Sequence, residues 1–407
     1  MIVVLHSGQP FRILDGSKVP FPLVQGVSFF FVLSGFILTY VYPSLGDGSR
    51  IRDFYIARIA RIWPAYATSF VLVLLFIPSS DWFLKGENGL LLGAANLLLM
   101  QGWIPNVRYY WSFNSVSWSV STEAFFYLVF PFLICRLDRS WWWKLLCTAA
   151  FVVAMLGLIS IGLRPLDPAN RYLTVIGLVY VSPLVRILEF FFGMAVASLC
   201  LRWRELTIVT SSNPLVWTIL ELFALSVTFL SGWYGPQLAR SLFDGQSQYV
   251  LAYYAEHSGS FLAFGLLIGV LSFERGMVSR LLSIGWLVLL GEISYSIYLV
   301  HHILIRWYLA NRGTFAPVPK TMLYIAYWLA VLSLSFIIWR MVEKPCQRWI
   351  RSLFGFRRDA FPGSHGAMSR TRSLPKNSLE AAILSVPGCP RDQSACETSA
   401  KIQELTD

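Results

Sequence analysis

The chain has 407 residues, of which 56% are hydrophobic and only 14% charged, and its mean hydropathy is +0.58. Soluble domains carry about 25% charged residues, so both departures exclude an ordinary water-soluble enzyme and point to a chain solvated by lipid. The net charge of +11 reads as membrane topology and lipid contact, which leaves no call for a nucleic-acid partner.

A membrane-spanning helix needs about 20 apolar residues. In chain order, runs of that kind fall at 23–42, 63–80, 117–135, 145–163, 184–201, 213–232, 259–273, 286–309 and 321–339. The segment 89–101 is apolar but short and holds Gly and Asn, so it reads as a re-entrant or interfacial piece. Met1–His6 looks like the end of one further span, too short for the apolar region of a signal peptide. The expectation is an all-α, polytopic transmembrane bundle of about ten spans with the first one truncated. Lys/Arg bias tests that count. With the missing start placed in the cytoplasm, inner loops hold seventeen Lys/Arg and outer loops nine. Both termini then lie inside a cell (inner or plasma) membrane. Residues 1–350 form one membrane domain, and 351–407, rich in Ser, Pro, Gly and charge, form a disordered cytoplasmic tail. Cys135, Cys147, Cys200, Cys346, Cys389 and Cys396 show neither metal-ligand nor disulfide spacing and receive no chemistry; no metal is expected.

Ionisable groups inside apolar segments cost about 2.5–3.5 kcal/mol at a helix centre, so those present need a reason. His6, Glu123, Arg186 with Glu189, Glu221, Glu292, and His301 with His302 meet that test. Ser119, Glu123 and Tyr127 fall at i, i+4 and i+8, a polar stripe that faces either a cavity or an interhelical hydrogen bond. Ser294, Tyr298 and His301 share a second face at i, i+4 and i+7. Arg186 and Glu189, at i and i+3, read as a structural ion pair. Arg58 and Arg61, also i and i+3, satisfy the positive-inside pattern, and they could equally clamp the phosphates of a nucleotide-like donor.

Six stretches, in order, resemble the acyltransferase-3 family of membrane O-acyltransferases. They are Gly26–Phe36 (GVSFFFVLSGF), Phe54–Pro64 (FYIARIARIWP), Trp118–Tyr127 (WSVSTEAFFY), Arg186–Met194 (RILEFFFGM), Ile293–His302 (ISYSIYLVHH) and Val342–Pro345 (VEKP). The resemblance implies transfer of an acyl group, commonly acetyl, from acyl-CoA as co-substrate to a hydroxyl of a glycan or glycolipid, with no bound cofactor. It implies His6 as a catalytic candidate, Arg58 and Arg61 as holders of the CoA end, and Glu123 as a functional acid. His301 joins the catalytic set, with Ser119, Tyr127, Ser294 and Tyr298 in support. The chain departs from the family at Ser28, where many relatives carry an acid, and in having no position for the basic residue that precedes the first-span histidine.

A sugar hydroxyl needs a base in the transition state, and imidazole, with an ordinary pKa of about 6.5, suits that task. A covalent acyl-histidine relay is the other option, and Glu123 could orient the imidazole or act as base itself. Outer-loop Trp103, Tyr109, Tyr110 and Trp111 would suit a sugar face or simply the membrane interface. A proton-coupled transporter and a catalytically inactive, truncated relative are the competing readings. Five apolar residues before His6 cover only about a quarter of a bilayer core, so a start some 15–20 residues upstream is expected, failing which the product is inactive. Acceptor identity and oligomeric state stay open.

Overall fold

The computed structural model describes residues 2–11, 23–46, 48–83, 88–162, 173–205, 213–243 and 249–355. The described residues are helical with no strand. The helices are α1 (Ile2–Phe11), α2 (Gly26–Val41), α3 (Gly48–Phe76), α4 (Gly89–Leu97), α5 (Val107–Tyr110), α6 (Trp118–Ile134) and α7 (Leu137–Gly162). They continue with α8 (Pro183–Glu205), α9 (Pro214–Leu242), α10 (Tyr249–Ser258), α11 (Phe261–Leu271) and α12 (Met277–Leu282). The last three are α13 (Gly285–Ala310), α14 (Lys320–Ile338) and α15 (Lys344–Leu353).

Among the described residues nine helical segments are long and apolar enough to cross a membrane, and each contains or overlaps one of the nine runs read from the sequence. The chain is a multi-pass membrane protein. In lipid every backbone N–H and C=O must be satisfied within the segment, which is why the apolar runs resolve as helices. The short run at 89–101 becomes the nine-residue α4, whose N-terminus is capped by the Asn88 side chain accepting from Leu90 and Leu91 N–H. The expected disordered tail is corrected at its start, where Arg351–Leu353 finish α15 and Phe354 caps it; residues 356–407 of that expectation lie outside the described residues.

The segments sort into an inner and an outer set. In the most apolar stretch of α6 67% of residues are buried, against 11% in α7, which therefore presents most of its surface outward. At the centre α2 and α8 cross at backbone distance. A Cβ on Gly35 would land on the Phe190 carbonyl, and one on Gly193 on the Val32 carbonyl. Small residues at such crossings let helices that gain nothing from hydrophobic burial in lipid gain dispersion contacts instead. That close crossing presents the Ser34 side of α2 to α6.

Three of the ionisable groups singled out by sequence act within this scaffold. Arg186 and Glu189 form a fully buried pair at 2.6 Å, and Arg186 also donates to the Tyr180 carbonyl at 2.9 Å and to Ser258. Glu221 is fully buried because it accepts from the N–H groups of Gly276, Val278 and Ser279, capping α12 from a neighbouring helix. Glu292 lies on the surface beside Lys344 at 3.6 Å.

Candidate active site

Polar side chains gather in two layers. The first is built by α1, α13 and the 3-10 turn Ser115–Ser117 that leads into α6. α1 runs alongside α13, with His6 beside His301 and Phe11 stacked on Tyr308 at 4.5 Å. His6 is therefore mid-helix, not the end of a stub: α1 continues through Pro10 to the buried Phe11. Phe11 packs into α13 and α14, and Ser7 lies 3.4 Å from the Tyr324 hydroxyl.

The hydrogen bonds at His301 and His6 fix their protons. His301 Nδ1 lies 2.6 Å from the Tyr298 carbonyl, which can only accept, so Nδ1 carries the hydrogen. Neutral His301 then has a bare Nε2, which accepts from His6 Nδ1–H at 3.0 Å. The remaining nitrogen of His6, Nε2, is left with its lone pair. His302 Nδ1 meets the Ser115 hydroxyl at 3.1 Å, and its ring packs edge-on to His6 with centroids 5.5 Å apart. Ser119 lies 2.7 Å from the Tyr298 hydroxyl, which itself donates to the Val116 carbonyl at 2.8 Å.

A cavity of about 630 Å³ opens onto this layer, with His6, His302, Ser115 and Tyr298 on its polar wall and Trp111, Trp118 and Tyr180 among its aromatic lining. Arg306 also lines it while donating to the carbonyls of Asp81 and Phe113. Of the four loop aromatics that would suit either a sugar face or the membrane interface, Trp111 reaches the cavity. Trp103 packs on Phe125 at 5.0 Å, and Tyr110 is buried with its hydroxyl 2.7 Å from Thr174.

The second layer lies roughly 9–12 Å away, counted as six residues of α13 from His301 to Tyr295 and eight of α6 from Ser119 to Tyr127. Here Glu123 accepts hydrogen bonds from Tyr127 and, at 3.3 Å, from Ser34. Arg58 donates to the Tyr42 hydroxyl at 3.2 Å and lies over the rings of Tyr42 and Tyr127 at 5.4 and 5.8 Å. Its buried Nε makes no hydrogen bond among the described residues. Arg61 is held by Glu343, which also accepts from Ser296 and Gln347 at 3.2 Å each. Tyr295 ties this layer together by donating to the Ile62 carbonyl at 3.0 Å while its ring faces Arg61.

The stripes read from sequence therefore divide. Glu123 and Tyr127 are bonded to each other in the arginine layer, whereas Ser119 bonds to Tyr298 in the histidine layer. Glu123 meets Tyr127 and Ser34, not an imidazole. Ser294 joins neither layer. It is exposed and donates to Gly291 of its own helix at 2.7 Å, because α1 meets α13 between His301 and Tyr308, about two turns further on. The serine that does turn inward is Ser296. Sequence reasoning gave no role to Glu343, Ser34, Tyr42 or Ser115, although Ser34 and Glu343 lie within two of the stretches that carry the resemblance.

Comparison with known proteins agrees with the sequence resemblance. A family model described as an acyltransferase domain matches residues 1–340. The acyltransferase MdmB of Streptomyces mycarofaciens is 30% identical over 350 residues, covering 79% of this chain and 80% of that protein. The peptidoglycan O-acetyltransferase OatA of Listeria monocytogenes is 24% identical over 346 residues, 79% of this chain and 51% of OatA. The putative peptidoglycan O-acetyltransferase YrhL of Bacillus subtilis is 32% identical over 124 residues, 27% of this chain and 19% of YrhL. No solved structure matches.

Proposed function

The chain belongs to the acyltransferase-3 family of membrane O-acyltransferases, and on that premise we propose that it moves an acyl group, acetyl in the simplest case, from acyl-CoA to a hydroxyl of a glycan or glycolipid. The observation that carries this reading is the chain Tyr298 C=O, His301, His6, which leaves His6 Nε2 unprotonated on a residue that lines the cavity. A hydroxyl seated there can give its proton to Nε2 as its oxygen bonds to the acyl carbonyl carbon. The C–S bond breaks, and the departing CoA thiolate takes up the proton. His301 acts through His6: it holds the tautomer.

Donor and acceptor suit different layers. Arg58 is a largely buried guanidinium whose hydrogen bond goes to a tyrosine, so its remaining donors fit the phosphates of CoA. Arg61, engaged by Glu343, contributes as a fixed positive charge and a tie between α3 and the segment joining α14 to α15. Trp111, Trp118 and Tyr180 offer apolar faces of the kind that pack on sugar rings, and the similarity to the peptidoglycan O-acetyltransferase OatA and the putative one YrhL supports a glycan acceptor. The positive-inside distribution supports placing the arginine layer toward the cytoplasm of the cell membrane and the histidine layer toward the outside.

Protein reconstituted in lipid, given acetyl-CoA and a panel of muropeptides and neutral oligosaccharides, tests the reading through thiol release. Release that requires an acceptor, with the acetyl group recovered as an ester on it, is the expected result. No acceptor-dependent release with any of the panel, or release that persists unchanged in His6→Ala, would sink it.

A further inference from the structure

His302 and Ser115 stand on the cavity wall without a task in the scheme above. Their arrangement is built. Three consecutive residues of the turn before α6 are pinned to one turn of α13. Asn114 donates to the Leu299 carbonyl at 2.9 Å, Ser115 meets His302 Nδ1 at 3.1 Å, and the Val116 carbonyl accepts from Tyr298 at 2.8 Å. A hydroxyl within hydrogen-bond reach of an imidazole, with its backbone fixed on both sides, is the arrangement of an activated nucleophile. The lining cavity gives it access, and His6 Nε2 supplies a separate base on the same wall.

We infer that Ser115 is a second catalytic residue, which accepts the acyl group from the donor and forms a transient acyl-serine before the acceptor is acylated. In the first half, Ser115 gives its proton to His302 Nδ1 while Oγ bonds to the thioester carbonyl carbon. The C–S bond breaks, and the thiolate leaves with the proton from His302. In the second half, the acceptor hydroxyl gives its proton to His6 Nε2 as its oxygen bonds to the same carbon. The bond from Oγ to that carbon breaks, and Ser115 takes up the proton held by His6. The two half-reactions balance without an oxidant, metal or further reactant. This inference rests on the acyl-CoA reading above and assigns each cavity histidine to one half of it.

The test is acetyl-CoA given to the reconstituted protein with no acceptor, acid quench, and peptide mass mapping. A stoichiometric burst of thiol and a single acetyl adduct on the peptide holding Ser115 are expected, with the adduct lost when acceptor is added. Ser115→Ala removes burst and adduct and lowers turnover about 100-fold or more. Ser115→Cys, which keeps a nucleophile, restores an adduct that neutral hydroxylamine cleaves as a thioester. Turnover of Ser115→Ala within about threefold of wild type, with His6→Ala still inactive, overturns the inference and leaves direct transfer standing. An adduct on His6 in place of Ser115 overturns it as well. If neither wild type nor Ser115→Cys forms an adduct and wild type shows no acceptor-dependent release, the failure lies with the acyl-CoA reading.

Discussion

In the histidine layer neutral His6 and His301 are chained, the proton of each assigned by the group beneath it, down to the Tyr298 carbonyl. In the arginine layer the polar groups are ions matched against ions and tyrosines: Arg61 with Glu343, Glu123 with Tyr127 and Ser34, Arg58 with Tyr42. Both layers keep polar atoms in an apolar medium, where an unsatisfied group costs several kcal/mol. The neutral chain ends in a lone pair that can accept a proton from a substrate. The charged cluster leaves one guanidinium with donors to spare. Proton transfer and anion binding thus fall to different depths of one bundle, joined by α6 and α13, each of which contributes to both.

Substitutions that act on one layer alone separate the two. The largest effect belongs to His6→Ala, expected to lower turnover about 10²–10⁴-fold with the KM for acyl-CoA within about twofold, read by steady-state kinetics. Glu343→Ala strands Arg61 and is expected to cost about 2 kcal/mol, seen as a lowered thermal midpoint. That is less than the roughly 3–5 kcal/mol for a fully buried pair, because about a third of the Arg61 side chain is exposed. Arg58→Lys keeps the charge and loses the fork. It should raise the KM for acyl-CoA about tenfold with kcat nearly unchanged, the loss of one charge-assisted hydrogen bond. The smallest contrast is between two serines on α13. Ser296→Ala forfeits the bond to Glu343 and about 1 kcal/mol, whereas Ser294→Ala, on the exposed face, leaves the thermal midpoint where it was. A Ser294→Ala effect as large as that of Ser296→Ala would undo the assignment of faces.

The spans were legible because twenty apolar residues in a row have few alternatives in lipid. The polar candidates were legible as exceptions to that rule, and all except Ser294, Glu292 and Arg61, which pairs with the unforeseen Glu343, proved buried or placed against another candidate. Partnership was not legible, because helical spacing says which residues share a face and not how far along that face a neighbour reaches. Ser294 and His301 share a face by count, yet of the two only His301 meets α1. Ser119 and Glu123 are one turn apart, yet α13 bonds the first and α2 the second. Glu221 stood out as a carboxylate in an apolar segment and is a helix cap, since its partners are backbone N–H groups that no side-chain pattern reveals. His6 Nε2 became a candidate base only once the Tyr298 carbonyl fixed the tautomers.

The claim that donor and acceptor occupy separate layers is tested most directly in sealed vesicles holding the protein in one known orientation. Acetyl-CoA and an impermeant glycan acceptor are supplied on the same side or on opposite sides. The account expects acetyl ester on the glycan only when acetyl-CoA is on the face nearer Arg58 and the glycan on the face nearer His6. Equal transfer with both substrates on the Arg58 face would contradict it.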